Sequence, residues 1–438
     1  MINKLRNIAN NRNLIIGLYI LGILTLLLFW SANQPFNSCP DESMRYVIPK
    51  FIFTHWQLPN ANDKSIIDIR YGFSYASQPQ LPYIISAIFM KIFSLFSSSD
   101  FGIVMAARMT SVFSGVIYTY FVIKIGELLF KRKLIRYIFI ALCTLWPEAM
   151  FIFTYVNCDG LALMSISIMI YSWFSAYSNG WNLKTSILLS VGMSIALLSY
   201  MNAYVFVLLS LLVYVSYYIF VDKSEERLKK FLKFGFLIFG IVFLLTGWHF
   251  IRNIVLYNSI LATKTNNYAE IYAIKGFSTS DRAAKAMATM STLYGNMKWI
   301  YLSITSFIGT FGWMNLYSYI IYAVYFVIFI ISIVGFVYVI KNTNKSKITK
   351  VSVLKIIIVI LSIILPFIIS YIFSFNDYQP QGRYAIGSLI PLCLVLTYCI
   401  NELIEKFSNK RALYFGLAIL CLIVFAAFYS EIIIYRAY

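Results

Sequence analysis

Charged side chains are scarce in this chain: only 12% of its 438 residues are Asp, Glu, Lys or Arg. An average soluble domain carries roughly 25%. Apolar residues make up 60% of the sequence, which is more apolar surface than a water-soluble fold can bury. Several apolar runs approach or exceed the ~20 residues that cross a bilayer, namely 14–31, 137–154, 234–250, 320–340 and 356–375. The composition therefore excludes a soluble protein and predicts a polytopic membrane protein.

Histidines and nucleotide-binding motifs are also rare or missing. There are only two histidines, and the six cysteines lack the spacing of metal ligands. We therefore predict no metal site and no cofactor, although the composition leaves a divalent ion open. The sequence contains no Walker loop, dinucleotide-binding glycine motif or nucleophile elbow, so no nucleotide site is expected.

The net charge of +19 would suggest nucleic acid as a partner for a soluble protein. In this chain the Lys and Arg residues lie in short loops between apolar runs, as the positive-inside rule describes. The charge therefore predicts a lipid bilayer as the partner, and no nucleic acid.

The basic loops also orient the predicted helices. The N-terminal flank carries Lys4, Arg6 and Arg12 and is expected in the cytoplasm, so residues 14–31 cross outward. Residues 131–136 are basic and must also lie inside. Only one crossing, 101–129, then fits before them, and residues 81–96 become a short helix along the outer interface.

Alternation of the remaining runs gives about eleven crossings, or up to about thirteen if ambiguous segments also span. We therefore predict an all-α helical bundle that forms one transmembrane domain over residues 1–438. Its two large extracytoplasmic loops are expected at 32–100 and 251–318, whereas the inner loops are short and basic. The working surface should accordingly lie outside.

This orientation places two groups of polar residues on the outer side. Asp41 and Glu42 come just after the first crossing, where a carboxylate is well placed to act as a general base or is simply solvated. Asn157 and Asp159 lie where two apolar runs meet outside, and either cap the second helix or serve the site.

Two arginines lie outside against the positive-inside bias. Arg252 is followed by Asn253, and Arg383 lies between Gln381 and Tyr384 in a Gly- and Pro-containing segment. Guanidinium groups bind phosphate oxygens in a bidentate way, so either arginine could bind a lipid phosphate. The alternative is that each side chain extends to lipid headgroups.

The order of these motifs resembles the GT-C class of membrane glycosyltransferases, which includes protein O-mannosyltransferases and aminoarabinose transferases. The similarity extends over roughly residues 10–400 and is nearest to a largely uncharacterised bacterial branch. The matching motifs are Pro40-Asp41-Glu42, Gln78-Pro79-Gln80-Leu81-Pro82-Tyr83, Asn157-Cys158-Asp159, Trp248-His249-Phe250-Ile251-Arg252-Asn253, Phe311-Gly312-Trp313 and Gln381-Gly382-Arg383-Tyr384. One departure is Gln78, since many relatives carry His before the Pro of the interfacial helix.

The resemblance implies a catalytic site at the outer face of a bacterial plasma (inner) membrane. Asp41 would be the base, with Glu42 the next choice, and Asp159 a second acid near the acceptor. Arg383 and Arg252 would bind the donor phosphate. The remaining lining residues would be Asn157, Gln381, Tyr384 and Asn253.

The implied reaction is inverting transfer of a sugar from a polyprenyl-phosphate donor to an envelope polysaccharide, lipid or protein. Two other functions stay open. A transporter or flippase for lipid-linked saccharides would favour charges near the bilayer midplane. An envelope polysaccharide polymerase or ligase would place its essential residues in a late outer loop.

Overall fold

A computed structural model describes residues 12–262, 273–342 and 349–437 of the chain. The predicted basic flank at Lys4 and Arg6, and part of the second predicted outer loop, lie outside these residues. In chain order the described α-helices are α1 (Arg12–Asn33), α2 (Glu42–His55), α3 (Leu81–Ser94), α4 (Asp100–Leu129), α5 (Lys133–Thr144), α6 (Pro147–Ile152), α7 (Asp159–Asn179), α8 (Leu183–Ser199), α9 (Tyr204–Phe220), α10 (Arg227–Tyr257), α11 (Thr279–Met290), α12 (Leu293–Gly309), α13 (Tyr319–Asn342), α14 (Lys350–Phe373), α15 (Leu389–Ile404) and α16 (Asn409–Ala437).

Within the described residues, nine helices are long and apolar enough to cross a membrane. Two shorter apolar helices, α3 and α8, accompany them. The described β-structure is one two-stranded antiparallel hairpin, Thr310–Phe311 with Leu316–Tyr317. Helices that satisfy their own backbone hydrogen bonds suit a lipid solvent. The predicted all-α polytopic membrane fold is therefore confirmed.

One of the predicted helices ends earlier than expected. The run at 137–154 is divided into α5 and α6. Pro147 begins α6, and a proline removes a backbone donor and disfavours helical backbone in the residue before it. The segment at 301–317 is partly helical, because α12 ends at Gly309 and the β-hairpin follows.

The first predicted outer loop contains a helix that the apolar pattern does not indicate. Helix α2 is more polar than the membrane helices and contains Pro49. It begins after Asp41 and ends before Trp56, and both residues have left-handed backbone, with φ of 61° and 53°. The chain therefore turns sharply at both ends of α2, and residue 41 is placed at the first of these turns.

A buried ion pair attaches α2 to the membrane helices. Arg108, near the start of α4, donates from Nε and Nη2 to the two carboxylate oxygens of Glu42, at 2.8 and 2.9 Å. Its Nη1 donates to the carbonyls of Ser31 and Gln34, at the end of α1. Glu42 also accepts from the backbone N–H groups of Asn37 and Val156.

Both members of this pair are almost inaccessible, with 0% of the Glu42 side chain and 1% of the Arg108 side chain exposed. The contacts join α1, α2, α4 and the segment that leads into α7. A carboxylate with this many donors has little capacity left for a substrate, so the pair stabilises the contact between these helix ends.

Replacing Arg108 by Met should destabilise the protein, because it leaves Glu42 as a buried charge without its partner. Removing one member of a buried pair typically costs about 3–5 kcal/mol. The unfolding temperature of the detergent-solubilised protein, monitored by size-exclusion chromatography after heating, measures the change in stability. Adding Glu42→Gln to Arg108→Met should recover part of the lost stability.

Arg12→Met provides the matched control, because Arg12 pairs with Glu127 but its side chain is 63% exposed. That variant should unfold close to the wild-type temperature. Wild-type stability of the Arg108→Met variant would contradict the structural role of the pair.

Candidate active site

The ends of several helices surround a cavity of about 350 Å³. It lies between the first predicted outer loop, the start of α9, the end of α14 and the segment that follows α14. Its apolar wall includes Val205, Pro366 and Ile369. Its polar and aromatic lining includes Asp41, Arg45, Tyr75, Arg282, Gln379 and Tyr384. The lining therefore combines charged and apolar side chains, which suits an amphiphilic ligand.

Asp41, which lines this cavity, forms an ion pair with Arg383, which is buried and is not among the lining residues. Nη2 of Arg383 donates to Oδ2 of Asp41 at 2.9 Å, and the two side chains are 4% and 19% exposed. Nη1 of Arg383 donates to the Tyr155 hydroxyl at 3.2 Å, whereas its Nε has no partner within the described part of the chain. The structure thus brings together two residues predicted as base and phosphate ligand, and leaves donor capacity on the arginine.

Arg383 is positioned by a short 3₁₀ helix, Gly382–Ser388, that precedes α15. The backbone N–H of Gly382 donates to Oγ of Ser306 on α12. A Cβ on residue 382 would lie 2.2 Å from the backbone N of Phe307. Glycine is needed here because the backbone approaches α12 closely.

The backbone of Asp41 is in the left-handed region, with φ of 61° and ψ of 8°. Non-glycine residues adopt this conformation at a cost, and such residues cluster at functional sites. The left-handed backbone directs the Asp41 carboxylate to the cavity, whereas the side chain of the neighbouring Glu42 is buried in the protein interior.

The charge state of Asp41 follows from competing effects. Burial by itself raises the pKa of the Asp41 carboxyl, but the charges of Arg383 and Arg45 and hydrogen bonds from Arg383 and Tyr75 outweigh it. The pKa of Asp41 is therefore below its ordinary value. At neutral pH the carboxylate is ionised and can accept a proton.

Asp159 lies beside this pair. It is 2% exposed in the first turn of α7, and it interacts electrostatically with Arg383, Arg45 and Asp41. Its Oδ2 has no hydrogen-bond partner among the described residues. The residue at the N-cap position is Cys158, which makes no capping bond through its side chain. Asp159 lies where the helix dipole favours a carboxylate, so both interpretations from the sequence, stabilisation of the helix start and a role in the site, stay open.

Glu42 and Asn157 do not line the cavity. The Glu42 carboxylate is turned inward to Arg108, so the second choice of base is wrongly placed for a substrate. Asn157 donates to the carbonyls of Ile152 and Tyr155 and accepts from the N–H of Gly160. Its side chain closes the turn between α6 and α7, which is why a polar residue is needed there.

Arg252 and Asn253 also lie away from the cavity lining. Nη2 of Arg252 donates to the carbonyl of Pro59 at 2.8 Å. Nδ2 of Asn253 donates to the carbonyl of Ile260 at 3.0 Å and contacts His249. Arg252 therefore attaches α10 to the backbone of the first predicted outer loop, and Asn253 stabilises the backbone just after α10. The structure therefore does not bring Arg252 to Asp41 together with Arg383.

Gln381 and Tyr384 lie on the segment that carries Arg383. The Tyr384 ring lines the cavity, and its hydroxyl donates to Oε1 of Gln379 at 3.2 Å. Gln381 donates to the same oxygen at 2.8 Å. Gln381 therefore orients the lining residue Gln379, a residue that the sequence analysis does not select.

Arg45 and Arg282 are lining residues that the sequence analysis also misses. Arg45 lies on α2 four residues after Asp41, a spacing that places two side chains on one helix face. A prediction of α2 as a helix would therefore have indicated Arg45 as a neighbour of Asp41. Arg282, on α11, forms an ion pair with Asp377 at 2.6 Å and lies over the rings of Tyr71 and Phe73 at the cavity.

Within residues 12–262, 273–342 and 349–437 there is no group of three or more His, Cys, Asp or Glu side chains that could bind a metal ion. Asp41 forms an ion pair with Arg383, and Asp159 interacts electrostatically with Arg383 and Arg45.

Comparison with known proteins returns no matching family model and no matching characterised sequence. The oligosaccharyltransferase of Archaeoglobus fulgidus in its apo form has a similar structure, with a TM-score of 0.56, 14% identity, and coverage of 96% of this chain and 56% of that one. The same enzyme, AglB, bound to an inhibitory peptide and a dolichol-phosphate gives a TM-score of 0.54 at 14% identity, covering 96% and 55%. ArnT from Cupriavidus metallidurans gives a TM-score of 0.43 at 13% identity, covering 88% and 77%.

This chain spans about half the length of the archaeal enzyme, and at this identity the likeness concerns the fold alone. The chain therefore has a transmembrane fold similar to that of the archaeal oligosaccharyltransferase.

Proposed function

We propose that this protein is a membrane glycosyltransferase that transfers a sugar from a polyprenyl-phosphate donor to a cell-envelope acceptor. The observation that carries the proposal is the Asp41 carboxylate, which is paired with Arg383 and lines a cavity of charged and apolar side chains. The backbone of Asp41 is left-handed. A transferase of this kind needs a base, a cation for the leaving phosphate and a path for a lipid.

In the proposed reaction, an acceptor hydroxyl or amine attacks the anomeric carbon of the donor sugar. Asp41 takes the proton of the attacking group as the new bond forms. The bond between the anomeric carbon and the phosphate oxygen breaks, and the electron pair leaves with the polyprenyl phosphate. A single displacement of this kind inverts the anomeric centre.

The growing negative charge on the phosphate is stabilised by guanidinium groups already in place. Arg45 and Arg282 are guanidinium groups that line the cavity, whereas Arg383 is buried next to Asp41 and is not among the lining residues. Asp159 is also outside the lining, so its proposed role is electrostatic, through Arg383, Arg45 and Asp41.

A lipid-phosphate donor is supported by the fold and by the cavity. The archaeal oligosaccharyltransferase of the same fold has been seen with a dolichol-phosphate, and also tethered to an acceptor peptide. We propose the bacterial plasma membrane as the location, with the N-terminus in the cytoplasm and the site outside. The acceptor would be an envelope polysaccharide, lipid or protein.

Substituting Asp41 by Asn should abolish one sugar substituent of the envelope, because the variant cannot accept the proton. Loss of a general base typically slows a reaction by about 10²- to 10⁴-fold. Envelope sugar composition is compared among wild-type, deletion and Asp41→Asn strains at matched protein level. Asp63→Asn is the isosteric control, since Asp63 lies in the same loop but caps a 3₁₀ turn outside the cavity.

Loss of one sugar in the deletion and Asp41→Asn strains, but not in the Asp63→Asn strain, supports the transferase. If the deletion loses the sugar and Asp41→Asn retains it, Asp41 is not the base. A lipid-linked saccharide transporter or a polysaccharide polymerase would then be the better explanation.

Replacing Arg383 by Gln should move the acid limb of the activity profile to higher pH. Without the nearby guanidinium, the charge and the hydrogen bond of Arg383 no longer lower the pKa of Asp41, and this pKa therefore rises. A base is active only when ionised, so activity in the variant should disappear at a higher pH as the pH falls. The measurement is the residual transfer rate of purified protein as a function of pH, and an unchanged acid limb would show that Arg383 does not tune Asp41.

We also expect transfer to persist in EDTA, because guanidinium groups at the cavity supply the positive charge that a divalent ion would otherwise provide. The transfer rate of the purified protein is measured with and without chelator. Loss of transfer in EDTA that returns with Mg²⁺ or Mn²⁺ would refute this expectation.

A further inference from the structure

A second cavity, of about 470 Å³, lies between the ends of α7 and α9 and the start of α10. These three helices are each long and apolar enough to span a membrane. Helix α7 begins at Asp159, close to Asp41, and ends at Asn179, which lines the second cavity. Its 21 residues rise about 30 Å, which is close to the thickness of the hydrocarbon core. The second cavity therefore lies at the opposite membrane boundary from the candidate active site.

The lining of the second cavity includes a buried tryptophan whose N–H group has no acceptor. Trp181 is 6% exposed, and its Nε1 has no hydrogen-bond partner in the described part of the chain. Its ring packs against the rings of Tyr214 and Tyr217, with centroids 5.0 and 6.4 Å away, so the indole is held in one orientation. Because a buried indole N–H usually has a partner, we expect a ligand in this cavity to supply an acceptor atom.

The charged side chains of the lining have both signs. They are Lys229, Lys230 and Lys233 on one hand and Asp222 and Glu226 on the other, so three cations face two anions. Lys229 lies 3.9 Å from Glu226 in a highly exposed pair, and Asp222 interacts electrostatically with Lys230. Contacts of this kind are weak in water, so a ligand can replace them at little cost. The mixture of charges is complementary to a zwitterion.

The surface beside the second cavity is apolar and exposed. Ile219 on α9 and Leu232 and Phe236 on α10 are 53%, 45% and 72% exposed. Leu232 precedes the lining residue Lys233, and Phe236 lies one helical turn further along α10. In a bilayer these side chains contact acyl chains. A molecule with its polar group in the cavity would therefore have its apolar part along this surface, as a membrane lipid does.

We propose that the second cavity binds the headgroup of a phosphatidylethanolamine molecule from the adjoining leaflet. The phosphodiester accepts hydrogen bonds from Nε1 of Trp181 and from the lysine side chains. The ethanolamine ammonium group donates to Asp222 and Glu226. The neighbouring rings already orient Trp181, so its orientation does not have to be acquired on binding. This site is separate from sugar transfer, because it lies at the other end of α7 from Asp41.

The test measures binding of the lipid to the whole, delipidated protein by native mass spectrometry. Trp181→Phe keeps an aromatic ring but removes the N–H group, and should weaken phosphatidylethanolamine binding about 10-fold, as expected for loss of a hydrogen bond to a charged group. Lys230→Gln should weaken it about 5-fold. Lys410→Gln is the charge control, since Lys410 is an exposed residue in the first turn of α16, and this variant should bind as wild type does.

Other titrants identify the part of the headgroup that is recognised. Asp222→Asn should weaken phosphatidylethanolamine binding about 5-fold, whereas its affinity for phosphatidylglycerol, which carries no cation, should stay the same or increase. Asparagine keeps an oxygen that can accept from the backbone N–H of Ser224, as Asp222 does at 2.8 Å. Phosphatidylcholine lacks an N–H donor and should bind more weakly than phosphatidylethanolamine to the wild-type protein.

Several results would overturn the inference. Wild-type affinity of both Trp181→Phe and Lys230→Gln would show that the lipid does not bind in this cavity, and an equal response of both lipids to Asp222→Asn would refute recognition of the ammonium group. Displacement of the lipid by inorganic phosphate at a similar concentration would show that the site takes free phosphate. Should Trp181→Phe fail to fold, Lys230→Gln and Asp222→Asn decide. Asp41→Asn should bind the lipid as wild type does, so this inference and the proposed function fail separately.

Discussion

The buried ion pair between Glu42 and Arg108 determines where the rest of the candidate site lies. Arg108 contacts the carboxylate of Glu42 and two carbonyls at the end of α1, so α1, α2 and α4 meet at one point. Asp41 is the residue immediately before Glu42. With Glu42 turned into the protein, the left-handed backbone at Asp41 directs its carboxylate to the cavity. An interior ion pair of low accessibility therefore fixes the position of a reactive group beside it.

Adjacent acids with the same chemistry thus have different environments, and the environment assigns their roles. Glu42 accepts from a guanidinium and from two backbone N–H groups, which leaves it no access to a substrate. Asp41 is partly accessible and has one guanidinium in direct contact. The Asp-Glu pair in the sequence cannot reveal this difference, because the partner Arg108 is 66 residues away.

The membrane architecture and the separate motifs could be predicted from the sequence, because apolar runs and basic loops are local signals. The pairing of Asp41 with Arg383 could not, since 342 residues separate them and the resemblance gives only their order. Arg252 satisfies the same local criteria as Arg383 but bonds a carbonyl of the first loop instead. Arg45 was missed because α2 lacks the long apolar run by which the other helices are recognised. A helix that depends on tertiary contacts and has no long apolar run is difficult to predict from its sequence.

The low pKa of Asp41 also constrains the chemistry that the site can perform. A carboxylate stabilised by Arg383 and Arg45 is a weak base, whereas a sugar hydroxyl or an amide is a very weak acid. Such a base cannot remove the proton before attack. Proton transfer must instead accompany cleavage of the bond to phosphate, when the acceptor oxygen or nitrogen gains positive charge. In a site of this type the base and the cations that stabilise the departing phosphate act in the same step, so the reaction depends on both.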